Sequence, residues 1–196
     1  MIKKLLKLKR IAIVGAAVLV LAGCRARNGA VKKETLKVGF DVDDTLLFST
    51  PAFQKGFQSD TRPFSDEFWE VVNTSDRGNS MVKESVRQIV EKYRAEGAGI
   101  YAITARKPYG GEELKEYLKD VLDIPGDHTY FEPDGKTGRL NQLGIDIFYG
   151  DSDSDITAAQ EAGIKAYRIE RSTASSYQEK YNPGKYGEEI IENTEW

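Results

Sequence analysis

The feature that most constrains this chain is a cluster of carboxylates placed directly after a largely apolar segment. Residues 36–40 predict a buried strand, and Asp41, Asp43 and Asp44 follow it within four positions. Carboxylates crowded in this way repel one another and resist desolvation, so a fold tolerates them only with a cation or a function. Open α/β sheets bind ligands at the carboxyl ends of their strands. The pattern predicts a ligand site after this strand, with a solvated Asp-rich turn as the plainer alternative.

Further along the chain, other turns supply polar residues that could join this cluster. One apolar strand ends at Thr104, which is followed by Arg106, and another runs into an acidic turn that carries Asp151 and Asp155. Lys136 lies at the head of a short helical pattern, fifteen residues before Asp151. A single Thr at a strand end or a single Lys at a helix start is usually a turn or solvated residue. Their order, together with two acidic turns, indicates one shared site.

Strands alternate with helical patterns through the rest of the sequence, which predicts an α/β fold with a parallel sheet. The apolar periodicity predicts a helix that Ser80 caps and that runs to about Glu96. Ser154 or Asp155 is expected to cap the helix after the second acidic turn. Pro51 is expected to interrupt regular structure, because it disfavours a helical conformation at the preceding residue.

The amino-terminal residues have the pattern of a targeting segment. Residues 1–23 contain five basic side chains and no acidic one, and the apolar run 11–21 is short for a permanent membrane helix. The following Ala22, Gly23 and Cys24 complete a sequence that resembles the bacterial lipobox. We therefore expect a lipoprotein signal peptide over 1–23, lipidation at Cys24, and a tether over 24–35. A plain cleavable signal is the alternative.

Composition and single residues exclude several other functions. The chain carries a formal charge of −3 although its first 23 residues are basic, so the remainder is acidic and argues against binding to a nucleic acid polymer. A calcium loop starting at the second acidic turn would need Gly and Glu where Ile156 and Ala162 stand. His128 is the sole histidine and Cys24 the sole cysteine, so multi-histidine metal centres, histidine nucleophiles and cysteine phosphatase loops lack support.

The ordered motifs resemble those of the haloacid dehalogenase (HAD) superfamily of phosphotransferases. The stretches FDVDDTLLFSTPAF and FYGDSDSDITAA and the closing GEEIIENTEW are similar to the class B bacterial acid phosphatases. The resemblance covers residues 36–196 and is poorest between 54 and 79. It implies a Rossmann-like HAD fold, a parallel sheet flanked by helices, with a small helical insertion over 54–96.

The resemblance also implies a mechanism built on four carboxylates. Asp41 would be the nucleophile that forms an aspartyl-phosphate, and Asp43 the acid and base that serves the leaving group and then water. A Mg²⁺ ion would be bound by Asp41, the backbone carbonyl of Asp43, and Asp151, with Asp155 binding directly or through water. These roles are expectations that the resemblance supplies.

Substrate contacts follow from the same resemblance. Thr104 would bind a phosphoryl oxygen, and Lys136 would pair with both the phosphate and the nucleophile. Arg106 corresponds to the family's Thr-Gly-Arg arginine, although Ala105 replaces the glycine here. Phe53, and less clearly Trp69, would hold the leaving group.

These expectations combine into a lipid-anchored, magnesium-dependent acid phosphatase that hydrolyses small organic phosphomonoesters, nucleotides among them, outside the cytoplasmic membrane. It would face the periplasm or the cell exterior, and a homo-oligomer is expected from the tetramers of the family. Two alternatives stay open. One is a class C-type lipoprotein acid phosphatase or 5′-nucleotidase, and the other is a non-catalytic surface lipoprotein with a vestigial site.

Overall fold

Residues 35–196 are described by the structure, a computed structural model, and they form eight strands and six α-helices. The strands are β1 (Lys37–Phe40), β2 (Leu47–Phe48), β3 (Met81–Val82), β4 (Gly99–Thr104), β5 (Thr129–Phe131), β6 (Ile147–Gly150), β7 (Lys165–Ile169) and β8 (Glu189–Ile191). The helices are α1 (Thr50–Gln58), α2 (Asp66–Ser75), α3 (Glu84–Ala95), α4 (Gly111–Leu122), α5 (Thr137–Leu143) and α6 (Asp153–Glu161), and a 3-10 turn (Gly126–His128) precedes β5.

Six of the strands form one parallel sheet in the order β5-β4-β1-β6-β7-β8. The central position of β1 explains its apolar sequence, because Val38 and Phe40 are fully buried between the layers that cover the sheet. Val38 aligns with Ile100 of β4 on one side and with Ile147 of β6 on the other. The carboxyl ends of β4, β1 and β6 therefore meet at one edge, and the predicted α/β fold with a parallel sheet is confirmed.

Two hydrophobic clusters cover the two faces of the sheet. One joins β1 to α3 and α4 through residues such as Val86 and Leu114, and the other joins β6 to α5 and α6 through Phe148 and Leu140. The second cluster depends on Gly39, since a Cβ there would lie 2.8 Å from the Phe148 ring. A glycine at this point of β1 therefore leaves room for the aromatic ring.

Helices α1 and α2 pack against each other, and aromatic side chains form their interface. The Phe53 ring lies edge-on to Trp69 with centroids 5.7 Å apart, and Phe57 contacts Phe68 at 5.0 Å. Helix α3 packs on β4 of the central sheet. The segment 54–96, predicted as a helical insertion, therefore spans most of the α1–α2 pair and a helix of the sheet layer.

Three helix starts differ from the sequence-based expectation. Helix α1 includes Pro51 in its first turn, where the missing N–H would have no helical partner in any case. Helix α3 begins at Glu84 with Lys83 as its N-cap, because Met81–Val82 pair with β2. The Ser80 hydroxyl instead donates to Asp76 at 2.5 Å.

The third difference concerns α6, where Ser152 is the N-cap. Its side chain accepts a hydrogen bond from the backbone N–H of Asp155, whose carboxylate accepts from the Ser152 N–H in return. This reciprocal capping box fixes Asp155 at the third helical position, and it leaves Ser154 inside the helix.

The predicted signal peptide and Cys24 lie outside the described residues. Within residues 35–196, no helix has the length and apolar character needed to cross a bilayer.

Candidate active site

A cavity of about 550 Å³ opens where the carboxyl ends of β1 and β6 meet. Asp41 directly follows β1, and its backbone N–H donates to Tyr149 O of β6 at 2.8 Å, so the acidic turns after these two strands lie side by side. The cavity is lined by Asp41, Asp43, Asp44, Ser49, Thr50, Phe53, Phe57, Phe64, Ala105, Lys136, Asp151, Ser152, Ser154, Asp155, Arg171, Ser175, Ser176 and Tyr177.

Three buried carboxylates form the floor of this cavity. Asp41, Asp151 and Asp155 each offer an oxygen, and these oxygens lie within 4.8 Å of one another. Lys136 Nζ donates to Asp41 Oδ1, and to Asp155 Oδ1 at 2.6 Å. The predicted partners from two acidic turns and the head of α5 therefore come together at one point.

Two carboxylates of the floor, those of Asp41 and Asp151, hold protons more tightly than ordinary aspartates. Burial, with the charges of Asp155 and Asp151, raises the pKa of Asp41 although Lys136 opposes the shift. Burial likewise raises the pKa of Asp151 to about 7 against the opposing effect of Arg171. Three desolvated carboxylates around one point form a donor set of hard oxygens, which is the set that a small divalent cation prefers. The floor therefore fits a metal ion whose charge would relieve this repulsion.

The Asp43 side chain has different neighbours from that of Asp41. Arg106 Nη2 donates to Asp43 Oδ1 at 2.7 Å, and Ser49 Oγ donates to the same oxygen at 2.6 Å. Burial alone would raise the pKa of Asp43, but the charge and hydrogen bonds of Arg106, with the Ser49 hydrogen bond and the charge of Lys136, together lower that pKa. The side chain keeps 27% of its surface exposed, toward the cavity that it lines.

All five N–H groups of the Arg106 guanidinium have acceptors. Nε donates to the Asp43 carboxylate at 3.0–3.1 Å, Nη2 to Asp43 and Asp76, and Nη1 to Asp76 and Asn73. The side chain is fully buried and does not line the cavity, whereas its neighbour Ala105 does. Arg106, predicted to contact substrate, therefore lies behind Asp43 with no N–H left for a phosphate.

Thr104 and Trp69 also lie behind the cavity wall. Thr104 is fully buried, and its Oγ1 accepts a hydrogen bond from the Arg106 backbone N–H at 3.2 Å. Trp69 supports the Phe53 ring from behind, and only Phe53 of this pair lines the cavity. The structure thus places Asp41, Asp43, Lys136, Asp151, Asp155 and Phe53 at the cavity, and Thr104, Arg106 and Trp69 one layer outside it.

Sequence reasoning missed the contribution of the segment after β7. Arg171 Nε donates to Asp151 Oδ2 at 2.5 Å, and Ser175 Oγ donates to Asp44 Oδ2 at 2.6 Å. Tyr177 closes the same side of the cavity. The available signal was the position of Arg171, which follows a parallel strand as both acidic turns do.

A buried ion network ties this segment to the acidic turn after β6. Arg168 is fully buried; its Nη1 donates to Asp151 O at 2.7 Å and its Nη2 to Asp153 Oδ1 at 3.2 Å. Asp153 also accepts from the Asn182 side chain at 2.7 Å, and the Arg168 Nε donates to Glu188 at 2.7 Å. The carboxyl-terminal residues are therefore fixed to the backbone of the acidic floor.

Comparisons with known proteins agree with this geometry. A family model described as HAD superfamily, subfamily IIIB (Acid phosphatase), matches residues 12–180. The class B acid phosphatase of Salmonella typhimurium is 36% identical over 185 residues, covering 86% of this chain and 77% of that protein. The class B acid phosphatase of Klebsiella pneumoniae is 37% identical over 183 residues, with the same coverage of 86% and 77%.

Solved structures show the same fold at low identity. A HAD-superfamily hydrolase from Ehrlichia chaffeensis has a TM-score of 0.50 at 13% identity and covers 81% of this chain and 91% of its own. A haloacid dehalogenase-like hydrolase from Bacteroides fragilis has a TM-score of 0.52 at 14% identity, covering 83% and 99%. The HAD fold and the class B resemblance are thus confirmed: the chain belongs to HAD subfamily IIIB, the class B acid phosphatases, and is a phosphomonoesterase.

Proposed function

We propose that this phosphatase hydrolyses small organic phosphomonoesters, nucleotides among them, through an aspartyl-phosphate on Asp41 and with Mg²⁺ as its metal. The observation that carries the proposal is the separation of two neighbouring aspartates. Asp41 lies among carboxylates and Lys136, whereas Asp43 lies against Arg106 and faces the cavity. Two carboxylates with such different positions can take two different roles, one attacking phosphorus and the other transferring a proton.

In the proposed first step, a carboxylate oxygen of Asp41 forms a bond to phosphorus and the bond from phosphorus to the ester oxygen breaks. Asp43 donates a proton to that departing oxygen. In the second step Asp43 takes a proton from water, whose oxygen attacks phosphorus and releases phosphate and free Asp41. Lys136 contacts Asp41 throughout and compensates negative charge beside it.

Asp41, Asp151 and Asp155 would hold the metal ion, together with the backbone carbonyl of Asp43. The ion supplies charge neutralisation that lets an anionic nucleophile approach an anionic substrate. Mg²⁺ suits a site of carboxylate oxygens that leaves positions for water and for the phosphate.

The wall of the cavity supports a substrate with a flat, apolar leaving group. Phe53 lines it, as do Phe57, Phe64 and Tyr177, whose exposed fractions are 50%, 55% and 47%. Aromatic rings that stay exposed in this way offer faces on which a nucleobase can stack. A nucleoside monophosphate would place its phosphate on the acidic floor and its base against these rings.

The proposal is tested by measuring how fast the pure protein hydrolyses a nucleoside monophosphate and an aryl phosphate, with and without EDTA. We expect EDTA to remove turnover and Mg²⁺ to restore it. Asp41→Asn keeps the side-chain volume but removes the nucleophile, so it should abolish turnover while the far-UV circular dichroism is unchanged. Substantial turnover by Asp41→Asn, or full activity in EDTA, would contradict the mechanism.

We also propose that Cys24 is lipidated and anchors the protein outside the cytoplasmic membrane, since it completes a lipobox after an apolar run. An acyl chain contributes about 0.8 kcal/mol per buried CH₂ group. Cys24→Ser should therefore release the protein from membranes in a sedimentation assay, and a variant that still sediments after signal cleavage would refute the anchor.

The oligomer proposed from family resemblance is measurable by light scattering, and a monomer at micromolar concentration would refute it.

A further inference from the structure

Asp76 is a fully buried carboxylate that the chemistry above does not use. It follows the last residue of α2, and its side chain is 0% exposed. Arg106 Nη1 donates to Asp76 Oδ2, and Arg106 Nη2 donates to Asp76 Oδ1 at 3.2 Å. Ser80 Oγ donates to Asp76 Oδ1 at 2.5 Å. Both carboxylate oxygens are therefore satisfied, one of them by two donors.

The position is an unfavourable one for an acidic side chain. The carboxyl end of a helix carries partial negative charge, and a buried carboxylate loses its hydration. A neutral side chain would avoid both costs if the end of α2 needed only to be packed. The presence of Asp76 therefore points to its ion pair with the guanidinium of Arg106.

Arg106 connects Asp76 to the catalytic carboxylate. The guanidinium is planar, with Asp43 along one side and Asp76 with Asn73 along the other. Asn73 is itself fixed, because its side-chain amide donates to Lys107 O at 2.9 Å and Tyr109 O at 2.7 Å. Because the guanidinium is rigid and planar, the hydrogen bonds that hold it to Asp76 and Asn73 also fix the edge that faces Asp43.

Asp43 depends on that near side for its orientation. Within residues 35–196, the hydrogen-bond donors to its carboxylate are Arg106 and Ser49. We propose that Asp76 is a positioning residue that holds the Asp43 carboxylate in its proton-transfer orientation through Arg106. The proposal rests on the proposed function, in which Asp43 protonates the leaving group.

The test uses Asp76→Asn, which keeps the volume of the side chain but removes the charge that fixes Arg106. An alkyl phosphate needs a proton on its leaving oxygen, whereas an activated aryl phosphate departs without one. We expect the rate of enzyme phosphorylation by an alkyl phosphate to fall about 10- to 100-fold, a range typical of second-layer residues. The rate with an aryl phosphate should fall much less, and KM should change little for either ester.

Asp66→Asn is the matched control. Asp66 lies at the start of the same helix and pairs with Lys107 at 2.9 Å on the exposed surface, so the same chemical change there should leave both rates near wild type. Asp43→Asn is the reference for complete loss of the proton donor. In the Asp43→Asn background, Asp76→Asn should have no further effect on the ratio of the two rates, because the group that it positions is already gone.

The outcomes separate the inference from the proposed function. Equal losses for the two esters in Asp76→Asn, or an undiminished effect of Asp76→Asn in the Asp43→Asn background, would overturn the positioning role. If Asp43→Asn itself slows both esters equally, the assigned role of Asp43 fails and the inference falls with it.

Should Asp76→Asn not fold, Arg106→Lys decides the question, since an ammonium keeps the charge but cannot bridge both carboxylates. It should reproduce the ester-dependent loss, and equal losses would overturn the inference.

Discussion

Asp41 and Asp43 are separated by one residue, yet opposite forces act on their pKa values. Burial and neighbouring carboxylates raise the pKa of Asp41, whereas Arg106, Ser49 and Lys136 together offset burial and lower the pKa of Asp43. The two side chains contact different partners, Asp41 contacting Lys136 and Asp43 contacting Arg106. The roles proposed for the two residues rest on their positions rather than on these shifts, since Asp41 lies beside Lys136 and the floor carboxylates whereas Asp43 faces the cavity.

Replacement of Asp43 by Asn should slow esters unequally. General acid catalysis contributes typically about 10²–10⁴-fold, and only a poor leaving group requires it. Phosphorylation by alkyl esters and nucleoside monophosphates should therefore fall far more than phosphorylation by activated aryl esters. The phosphoenzyme should accumulate with aryl substrates, because water is no longer activated.

Rapid-quench phosphorylation and steady-state turnover for both ester types measure these effects. Affinity for Mg²⁺ should persist in Asp43→Asn, as the proposed ligand from this residue is its backbone carbonyl. A loss of metal affinity, or an equal loss of phosphorylation rate for both esters, would show that Asp43 is a ligand or a structural residue.

At the scale of elements, the turn from β6 into α6 positions two carboxylates at once. Its capping box fixes Asp155, and Gly150 makes room for that side chain, since a Cβ on Gly150 would lie 2.3 Å from Asp155 Cβ. Position 150 therefore requires glycine, because any larger residue would collide with the Asp155 side chain.

Gly150→Ala should displace Asp155 and so weaken metal binding and turnover. Gly138→Ala is the matched control, because Gly138 lies in α5 with open space around its Cβ position. The control should keep activity and gain about 0.4–1 kcal/mol of stability from reduced freedom of the unfolded chain. Isothermal titration with Mg²⁺ and thermal unfolding compare the two variants. Wild-type metal affinity in Gly150→Ala would show that the crowding is relieved elsewhere.

The features that the sequence predicted depend on neighbouring residues, and those that it missed depend on contacts between residues far apart in the chain. The strands that end in Asp41 and Asp151 were predictable, because an apolar run followed by a polar turn is a local pattern. The start of α3 was not, since the pairing of Met81–Val82 with β2 depends on residues more than thirty positions away. The inward position of Arg106 also escaped prediction, because it depends on Asp76 and Asn73 of the helical pair.

For the whole molecule, the acidic floor should make stability depend on pH and metal together. The folded-state pKa of Asp151 is about 7, above its ordinary value of 3.8. Between these values the folded protein binds more protons than the unfolded chain, so the contribution of Asp151 to stability falls as pH rises. Without metal, wild type should therefore lose stability relative to Asp151→Asn as pH increases from about 4 to about 7.

Chemical unfolding of both proteins in EDTA at several pH values measures this difference. Mg²⁺ should stabilise wild type more at the upper end of this range than at the lower end, because the ion replaces the proton as the partner of the carboxylates. A difference between the two proteins that does not vary with pH would contradict the raised pKa of Asp151.

The position of β1 between β4 and β6 also has a consequence for biosynthesis. A nascent chain that has emerged only through α5 contains Asp41, Asp43 and Lys136 but lacks β6 and both carboxylates that follow it. Arg171 and Tyr177 are made later still. Activity is therefore expected only after these residues have been made, late in translation. We expect prematurely terminated products that end before β6 to be inactive toward phosphate esters, because they lack two of the residues proposed to bind the metal ion.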